Sequence, residues 1–546
     1  MNNSTKKSFF SPIIIALCIL AGFFIRGYYD TTHQMRFYSS GNKINAILEI
    51  IDRQYVDTVN MNQLIEKTAY NLINELDPHS ILIPAEDLQT VNEPLEGSFS
   101  GIGMTFNLIS DTILVLDVIR GSPAEKAGIL PFDRVITIND SVYAGKKIPD
   151  MEIRNTIRGP KSTKVKLGIQ RDRAAELIFF DVTRGDVPSP SIEVSYVVSE
   201  GIGYIKVNTF ARTTYNEFLT ALAMLKSEGC DSFIIDLRGN SGGLMEISIR
   251  MINEFLQARR PIVYSEGKAF RRINYRADGT GSCQDSPLVV LVDEQSGSAS
   301  EIFAGAIQDN DRGAIIGRRS YGKGLVQAPF PLKDGSEIRL TVARYYTPSG
   351  RCIQKKYEMG NVTDYEQDLY NRYLHGEYFH EDSIKMIDSL AYNTLGGRTV
   401  YGGGGIMPDI FIPRDVNENQ GVITYFLNVY NSGVLLQFTL EYSDKNRVKL
   451  SSFSTFQELY AFLQRQPLLE RFVEYAESKD IHRQPSIIDL SKEMILSSIH
   501  SLIVRNFFNN DGYYPIIQKD DKTIQRAVQV LKNGEWNPLL QLKIES

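Results

Sequence analysis

Histidine is scarce in this 546-residue chain: His33, His79, His375, His380, His482 and His500 leave residues 80–374 without one. Any acid–base chemistry in that span must use another side chain or recruit a ring from elsewhere. Cysteine is also sparse. Cys18, Cys230, Cys283 and Cys352 are far apart and form no CxxC or CxxxH pair, which disfavours zinc and a dense disulfide framework. One disulfide among the last three is left open by spacing alone. The formal net charge of -6 provides no electrostatic footprint for nucleic acid. No internal repeat is visible, and Gly402–Gly405 is the sole low-complexity run. What remains is an ordinary globular composition, 42% hydrophobic and 23% charged, enough to build cores rather than a disordered chain. The length implies three or four domains.

The N-terminus carries the longest apolar run. Lys6 and Lys7 precede an uncharged stretch, Ser8 to Ile25, that ends at Arg26. It has no polar face, so a buried core helix is disfavoured. Its length suits a short membrane span or a signal peptide. No small-x-small cleavage site follows, and Leu17 before Cys18 fits a lipoprotein box poorly, so residues 1–27 read as a cytoplasmic stub and uncleaved anchor helix. The lysines then predict export of everything after Arg26.

Residues 40–95 read as a helical segment. Ile44, Ile47, Leu48 and Ile51 recur at helical spacing, as do Leu64, Ala69, Leu72, Ile73 and Leu76, and Asp77-Pro78 stops the second helix. Over 96–184 the texture changes to short alternating strands, including Ile113–Leu116 and Val135–Ile138. From 185 to 353 strands are predicted at Gly203–Val207, Phe233–Leu237, Leu288–Val292, Ala314–Gly317 and Ile338–Ala343. Helices are predicted near 214–228, 244–257 and 299–309, and this alternation implies one sheet with covering helices. A polar stretch, 354–400, reads as an insertion before the closing core segment 401–415. Residues 416–546 read as a mostly helical tail domain.

Ser298 follows a strand and a polar turn, at the start of a helix. Taken alone, Ser298-x-x-Glu301 is a capping box. The same position also presents a hydroxyl beside unpaired N–H groups, where the Ala299 N–H could help to hold an oxyanion. A serine nucleophile needs a base, and the surrounding span has no histidine. Nor does Ser298 sit in a GxSxG elbow. Lys323, between Gly322 and Gly324, is the natural substitute, provided desolvation keeps it neutral; alone it is a loop lysine. Gln327 lies four residues on, and in an extended segment the even separation puts both on one face. Asp236–Gly243 runs from a strand into a glycine-rich turn that could aim N–H groups at developing negative charge. It could also cradle a phosphate, although it matches neither the P-loop nor GxGxxG.

The order Gly121-Ser122-Pro123-Ala124-Glu125-Lys126-Ala127-Gly128-Ile129, then Asp133-Arg134-Val135-Ile136, resembles PDZ domains, with Gly101, Ile102, Gly103 and Met104 at their carboxylate-binding loop. Such a loop can bind a terminal carboxylate while the sheet edge pairs with the peptide. Together with Asp236–Gly243, Ser298-Ala299-Ser300-Glu301, Tyr321-Gly322-Lys323-Gly324-Leu325-Val326-Gln327 and Tyr346–Arg351, these segments resemble the carboxy-terminal processing peptidases, or tail-specific proteases. The resemblance covers roughly 42–352 and resumes at Gly405–Ile410. It implies a multidomain α/β protein: a membrane helix, a helical segment, a PDZ domain, a peptidase core related to ClpP and crotonase, and a helical C-terminal domain. It implies Ser298 as nucleophile, Lys323 as general base and Gln327 as its orienting partner. Oxyanion donors are implied at Gly242 or Gly243 and at Ala299. The expected activity is endopeptidase cleavage of exported or envelope proteins near their C-termini, with PDZ recognition of a nonpolar C-terminal tail, on the periplasmic side of a membrane. No metal or organic cofactor and no nucleic acid is expected; a homo-oligomer or an activating adaptor is left open. The alternative is a catalytically silent, membrane-tethered PDZ scaffold. The 354–400 insertion departs from the family core and bears on access to the site.

Overall fold

The computed structural model describes residues 21–22, 43–109, 111–171, 176–414 and 424–537. The apolar run Ser8–Ile25 therefore lies almost wholly outside the described residues, among which no helix is long and apolar enough to cross a membrane. The chain divides into two compact units after Leu82. The first contains the helices Lys43–Gln54 and Met61–Asn74, the second capped by the Asn60 side chain, which accepts from Gln63 N–H at 3.2 Å. This helix ends before Asp77, whose carboxylate takes the N–H groups of His79 and Ser80 at 2.9 Å and so closes the expected Asp-Pro turn.

Within the second unit, the helix Leu88–Glu96 leads into the PDZ sheet, in which Met104–Ile109, Thr112–Val118, Arg134–Ile138, Lys164–Gln170 and Ile178–Thr183 follow one another across the sheet. Alternate residues Ile113, Val115, Val135, Val165, Leu167 and Ile169 form its buried face. Met104–Ile109 is an edge strand of that sheet.

The peptidase core is a six-stranded sheet in the order Ile192–Ser199, Ile202–Val207, Ser232–Asp236, Leu288–Val292, Ala314–Gly317 and Ile410–Phe411. All but the first pairing are parallel. Its parallel strands are continuous apolar runs because both faces are covered. The helices Thr214–Ser227, Met245–Asn253 and Ala299–Asp309 supply one cover. The other cover corrects the expected domain boundary. The last helix among the described residues, Lys522–Lys532, buries Ile524, Ala527, Val530 and Leu531 against Tyr204, Ile234, Val289 and Ile316. It belongs to the core packing although it lies in the tail segment, because its apolar stripe finds its partner in the sheet face rather than among its sequence neighbours.

A second correction concerns Glu337–Tyr346, which contains the predicted strand 338–343. It pairs with Leu325–Pro331 and Pro261–Glu266 in a separate antiparallel sheet, not in the main one. Cys230, Cys283 and Cys352 are free thiols, so no disulfide joins them.

The remaining tail helices pack around their own core of Leu435, Phe438, Phe472, Ile495, Ile499 and Ile503. They also grip the PDZ domain. Phe132 lies 5.7 Å from Phe507 between ring centres, Leu440 joins the same cluster, and Arg134 pairs with Asp444 at 2.8 Å.

Candidate active site

The site grows from two turns at the carboxyl ends of neighbouring core strands. After Ser232–Asp236 the chain turns through Leu237–Gly243, and after Leu288–Val292 it turns through Asp293–Ser298. Asn240 ties these turns together. Its carbonyl accepts from Gly297 N–H (3.0 Å) and Ser300 Oγ (2.8 Å), and its amide donates to the Val207 carbonyl at 2.9 Å. The strand end itself is fixed by Asp236. Burial opposes its ionisation, but Arg238, Lys206 and bonds from Arg238 and Tyr204 outweigh that and hold its carboxyl at about 2. Arg238 reaches on to Asp521 at 2.8 Å, which caps the last helix.

Ser298 is the N-cap of the fully buried helix Ala299–Asp309 and has φ 54° and ψ -113°. A non-glycine residue there is strained, a feature concentrated at functional sites. Gly242 makes the turn sterically feasible: a Cβ added to it would stand 2.8 Å from Ser298 Cβ and from the Gly297 carbonyl oxygen. The capping pair is present, with Glu301 accepting from Ser298 N–H at 2.9 Å.

Lys323 and Gln327 meet, with Lys323 Nζ donating to Gln327 Oε1 at 3.1 Å. The reason differs from the expected one. Lys323 lies in the loop before the strand Leu325–Pro331, and the register shifts between Val326 and Gln327. A local irregularity, not plain alternation, re-aims the side chains.

Ser298, Lys323, Gln327 and Gly243 all line one cavity of about 500 Å³, which also receives Asn92, Leu95 and Glu96 from the helix Leu88–Glu96. Arg212 holds Glu96 at 3.0 Å, and Arg339 holds Asn92. A larger cavity of about 910 Å³ lies between the edge strand Ile192–Ser199 and the tail helices, and contains none of the predicted site residues.

The two glycines can now be distinguished. Gly242 is buried and its N–H donates to Asn240 Oδ1 at 2.8 Å. Gly243 is exposed to the cavity, at φ 139°, and its N–H has no partner among the described residues. The Ala299 N–H, at the first position of its helix, is likewise unpaired. Gly242 is therefore removed as a candidate oxyanion donor, because its proton is already committed.

The insertion does not stand apart from the core. Gln354 Oε1 accepts from Gly324 N–H at 2.7 Å, and Lys355 N–H donates to the Gly322 carbonyl at 2.9 Å. From the helix Val362–Leu374, buried Arg372 donates to the carbonyls of Arg319 and Ser320 at 2.7 and 3.0 Å. Segment 354–377 thus braces the loop that carries Lys323.

In the PDZ domain, Gly101 ends the strand Ser98–Gly101 and Met104 starts the edge strand. The carbonyls of Ile102 and Gly103 are taken by Ala124 N–H at 2.7 Å and Ile119 N–H at 2.9 Å. The N–H groups of Ile102 and Gly103 have no partner among the described residues. Gly103 has φ 81°, and an added Cβ would meet Ser122 Cβ at 2.2 Å. Only glycine suits that approach.

In the sequence Glu301 reads solely as a capping residue, and neither Asn240 nor Tyr345 stands out by itself. The Asp236–Gly243 turn was the available signal for Asn240. Nothing local pointed to Tyr345, which reaches the site from the second sheet.

Residues 201–366 match the model of peptidase family S41, residues 90–170 match the PDZ domain, and residues 425–509 match a family of unknown function. The chain is similar to the carboxy-terminal processing protease CtpA of Bacillus subtilis (strain 168), with 34% identity over 322 residues, 58% of this chain and 67% of the relative. It is also similar to CtpB of the same organism, with 32% identity over 318 residues, 58% of this chain and 66% of that relative. The match thus spans about two thirds of the length of each. A probable CtpA-like serine protease of Staphylococcus aureus (strain MRSA252) is 32% identical over 324 residues, 59% of this chain and 64% of the relative.

Proposed function

The chain belongs to the carboxy-terminal processing proteases, with an S41 peptidase core and a PDZ domain, and from that premise we propose that it is a Ser-Lys endopeptidase acting on exported proteins with nonpolar C-termini. The observation that carries this reading is the meeting of Ser298, Lys323 and Gln327 in one cavity, beside the two unpaired N–H groups of Gly243 and Ala299.

In the proposed cycle, neutral Lys323 accepts the Ser298 hydroxyl proton as Oγ attacks the scissile carbonyl carbon. The negative charge on the former carbonyl oxygen is met by the N–H groups of Gly243 and Ala299. Collapse of this intermediate breaks the C–N bond, and the Lys323 ammonium returns its proton to the leaving amine. Water then attacks the acyl-enzyme ester, losing a proton to Lys323, and the resulting ammonium passes that proton to Ser298 Oγ as the C–O bond breaks and the new carboxyl terminus departs. Gln327, accepting from Nζ, orients the amine. Each step conserves protons without a metal or organic cofactor.

The PDZ domain is assigned the capture of a substrate tail. Its terminal carboxylate would bind at the free N–H groups of Ile102 and Gly103, and its last residues would pair with the edge strand from Met104. The apolar run Ser8–Ile25, with lysines before it, supports anchoring of the chain in a membrane with its catalytic part in the cell envelope, outside the cytoplasm.

The test compares residues 30–546 with their Ser298→Ala and Lys323→Ala variants on an unfolded protein with an apolar C-terminus. Loss of cleavage in both variants is expected. Equal cleavage by all three would sink the Ser-Lys assignment, and binding of the tail without any cleavage would favour a silent scaffold. For the PDZ role, Gly103→Val should weaken preference for apolar tails with a free carboxylate over the same tails amidated; an unchanged preference would defeat it.

A further inference from the structure

Resting on the Ser-Lys reading, we propose that Glu301 and Tyr345 form a two-sided clamp that positions the nucleophile against its base, one taking the N–H groups of Ser298 and Lys323 and the other their carbonyls. Glu301 is fully buried. Its Oε2 accepts from Ser298 N–H and from Lys323 N–H, both at 2.9 Å. Its Oε1 accepts from Gly322 N–H at 2.7 Å and from Ser320 Oγ at 2.5 Å. A helix cap needs one or two such bonds at its own terminus. This carboxylate makes four, and three of them reach across to the loop that carries Lys323.

Tyr345 approaches from the antiparallel sheet. Its hydroxyl lies 3.0 Å from the Ser298 carbonyl oxygen and also contacts the Lys323 carbonyl oxygen. One hydroxyl proton is shared between the two acceptors. The ring is buried, so its orientation is set by packing. Both backbone groups of Ser298 and both of Lys323 are thereby held by the same two side chains. Holding N–H and C=O together fixes each residue's Cα–Cβ direction. It therefore fixes where Oγ and the lysine stem start.

The chemistry of the donor set explains the residue types. All four hydrogen-bond partners of the Glu301 carboxylate are donors, so only an acceptor-only group satisfies them. Burial pushes its carboxyl up to about 7 against the pull of those four bonds, so the four donors are all satisfied only in the ionised form, which the buried site holds at an electrostatic cost. A glutamine in its place would turn an NH₂ group towards N–H donors. An aspartate would fall one methylene short.

The experiment uses the full chain with Glu301→Gln, Tyr345→Phe, the double variant, and Ser298→Ala as reference. Folded sites are measured by thermal melting and near-ultraviolet circular dichroism. Cleavage is then resolved into kcat and KM, and a fluorophosphonate reports the acylation rate of Ser298 per folded molecule. Tyr345→Phe deletes one oxygen and is expected to lower kcat and the acylation rate about 10- to 100-fold while KM moves less than about twofold, the effect of misplacing reacting groups. The double variant should lose less than the product of the single losses, because the two residues hold the same pair. If Glu301→Gln does not fold, Tyr345→Phe decides alone. Wild-type kcat and acylation rate per folded molecule in Tyr345→Phe would overturn the clamp. Cleavage surviving in Ser298→Ala would instead overturn the reading beneath it, so the two failures are distinguishable.

Discussion

Gly242→Ala should remove activity while leaving the protein folded, and its effect can be worked from the geometry. Gly242 sits at φ 113°, where an alanine is strained, and its new methyl would stand 2.8 Å from both Ser298 Cβ and the Gly297 carbonyl oxygen and 3.0 Å from the Ala299 nitrogen. None of these atoms is the far end of a flexible side chain, so relief requires the Ser298 turn itself to move. The conformational part costs on the order of 1–3 kcal/mol. Displacing a reacting group by about 1 Å can cost about 100-fold in rate, and here the displaced group carries Oγ and the Ala299 N–H together. A matched control is Gly229→Ala, which also has positive φ (89°) but nothing within 4 Å of the added Cβ. It bears conformational strain alone, about 1–2 kcal/mol, and does not line the Ser298 cavity. The assay is kcat on an unfolded substrate, with melting temperatures measured on the same samples. Gly242→Ala should fall by at least about 100-fold and Gly229→Ala by less than about threefold at temperatures where both are folded. Equal kcat in the two variants would refute the claim that Gly242 exists to seat Ser298.

Three further outcomes follow from other parts of the fold. Gln327→Ala should lower kcat about tenfold or more with little change in KM, because Gln327 accepts from Lys323 Nζ and orients the proposed base; a change confined to KM would contradict this. Asp236 has a folded value depressed from 3.8 to about 2, so it stabilises the fold above its unfolded value and that stability is lost as pH falls through about 2. The window is worth about 2–3 kcal/mol at 1.36 kcal/mol per unit. Chemical denaturation between pH 5 and 2 should show a flatter acid limb in Asp236→Asn, whose neutral baseline also drops because Arg238 loses a buried partner; an identical slope would be inconsistent with the depressed carboxyl. Arg372→Ala strips donors from the carbonyls of Arg319 and Ser320, each costing about 1–3 kcal/mol if left unsatisfied. It should lower kcat as well as the melting temperature, whereas a melting shift with unchanged kcat per folded molecule would make segment 354–377 a mere attachment.

Much of the fold was legible locally. Leu288–Val292 and Ala314–Gly317 are apolar runs bounded by turn residues, and the helix Ala299–Asp309 has its start written in Ser298 and Glu301. Period and propensity identify an element but not its partner. For that reason Glu337–Tyr346 was recognisable as a strand yet assigned to the wrong sheet, and Lys522–Lys532 was recognisable as a helix yet assigned to the tail. The site divides in the same way. Ser298, Lys323 and Gln327 were candidates from residue type, order and the histidine-free span. The choice between Gly242 and Gly243 turns on one hydrogen bond from Asn240, which no spacing encodes. Glu301 is a cap in sequence because its other bonds reach 19 to 22 residues away. Tyr345, 47 residues from Ser298, comes within reach only once the antiparallel sheet has formed.

Whether Ser298 is the nucleophile and Lys323 activates it is measured most directly by labelling the chain from residue 30 with a fluorophosphonate, followed by peptide mass spectrometry to locate the adduct. A single adduct on Ser298 is expected, with a labelling rate that collapses in Lys323→Ala although that variant melts like the parent. An adduct on another residue, or an undiminished rate without Lys323, would contradict the Ser-Lys assignment.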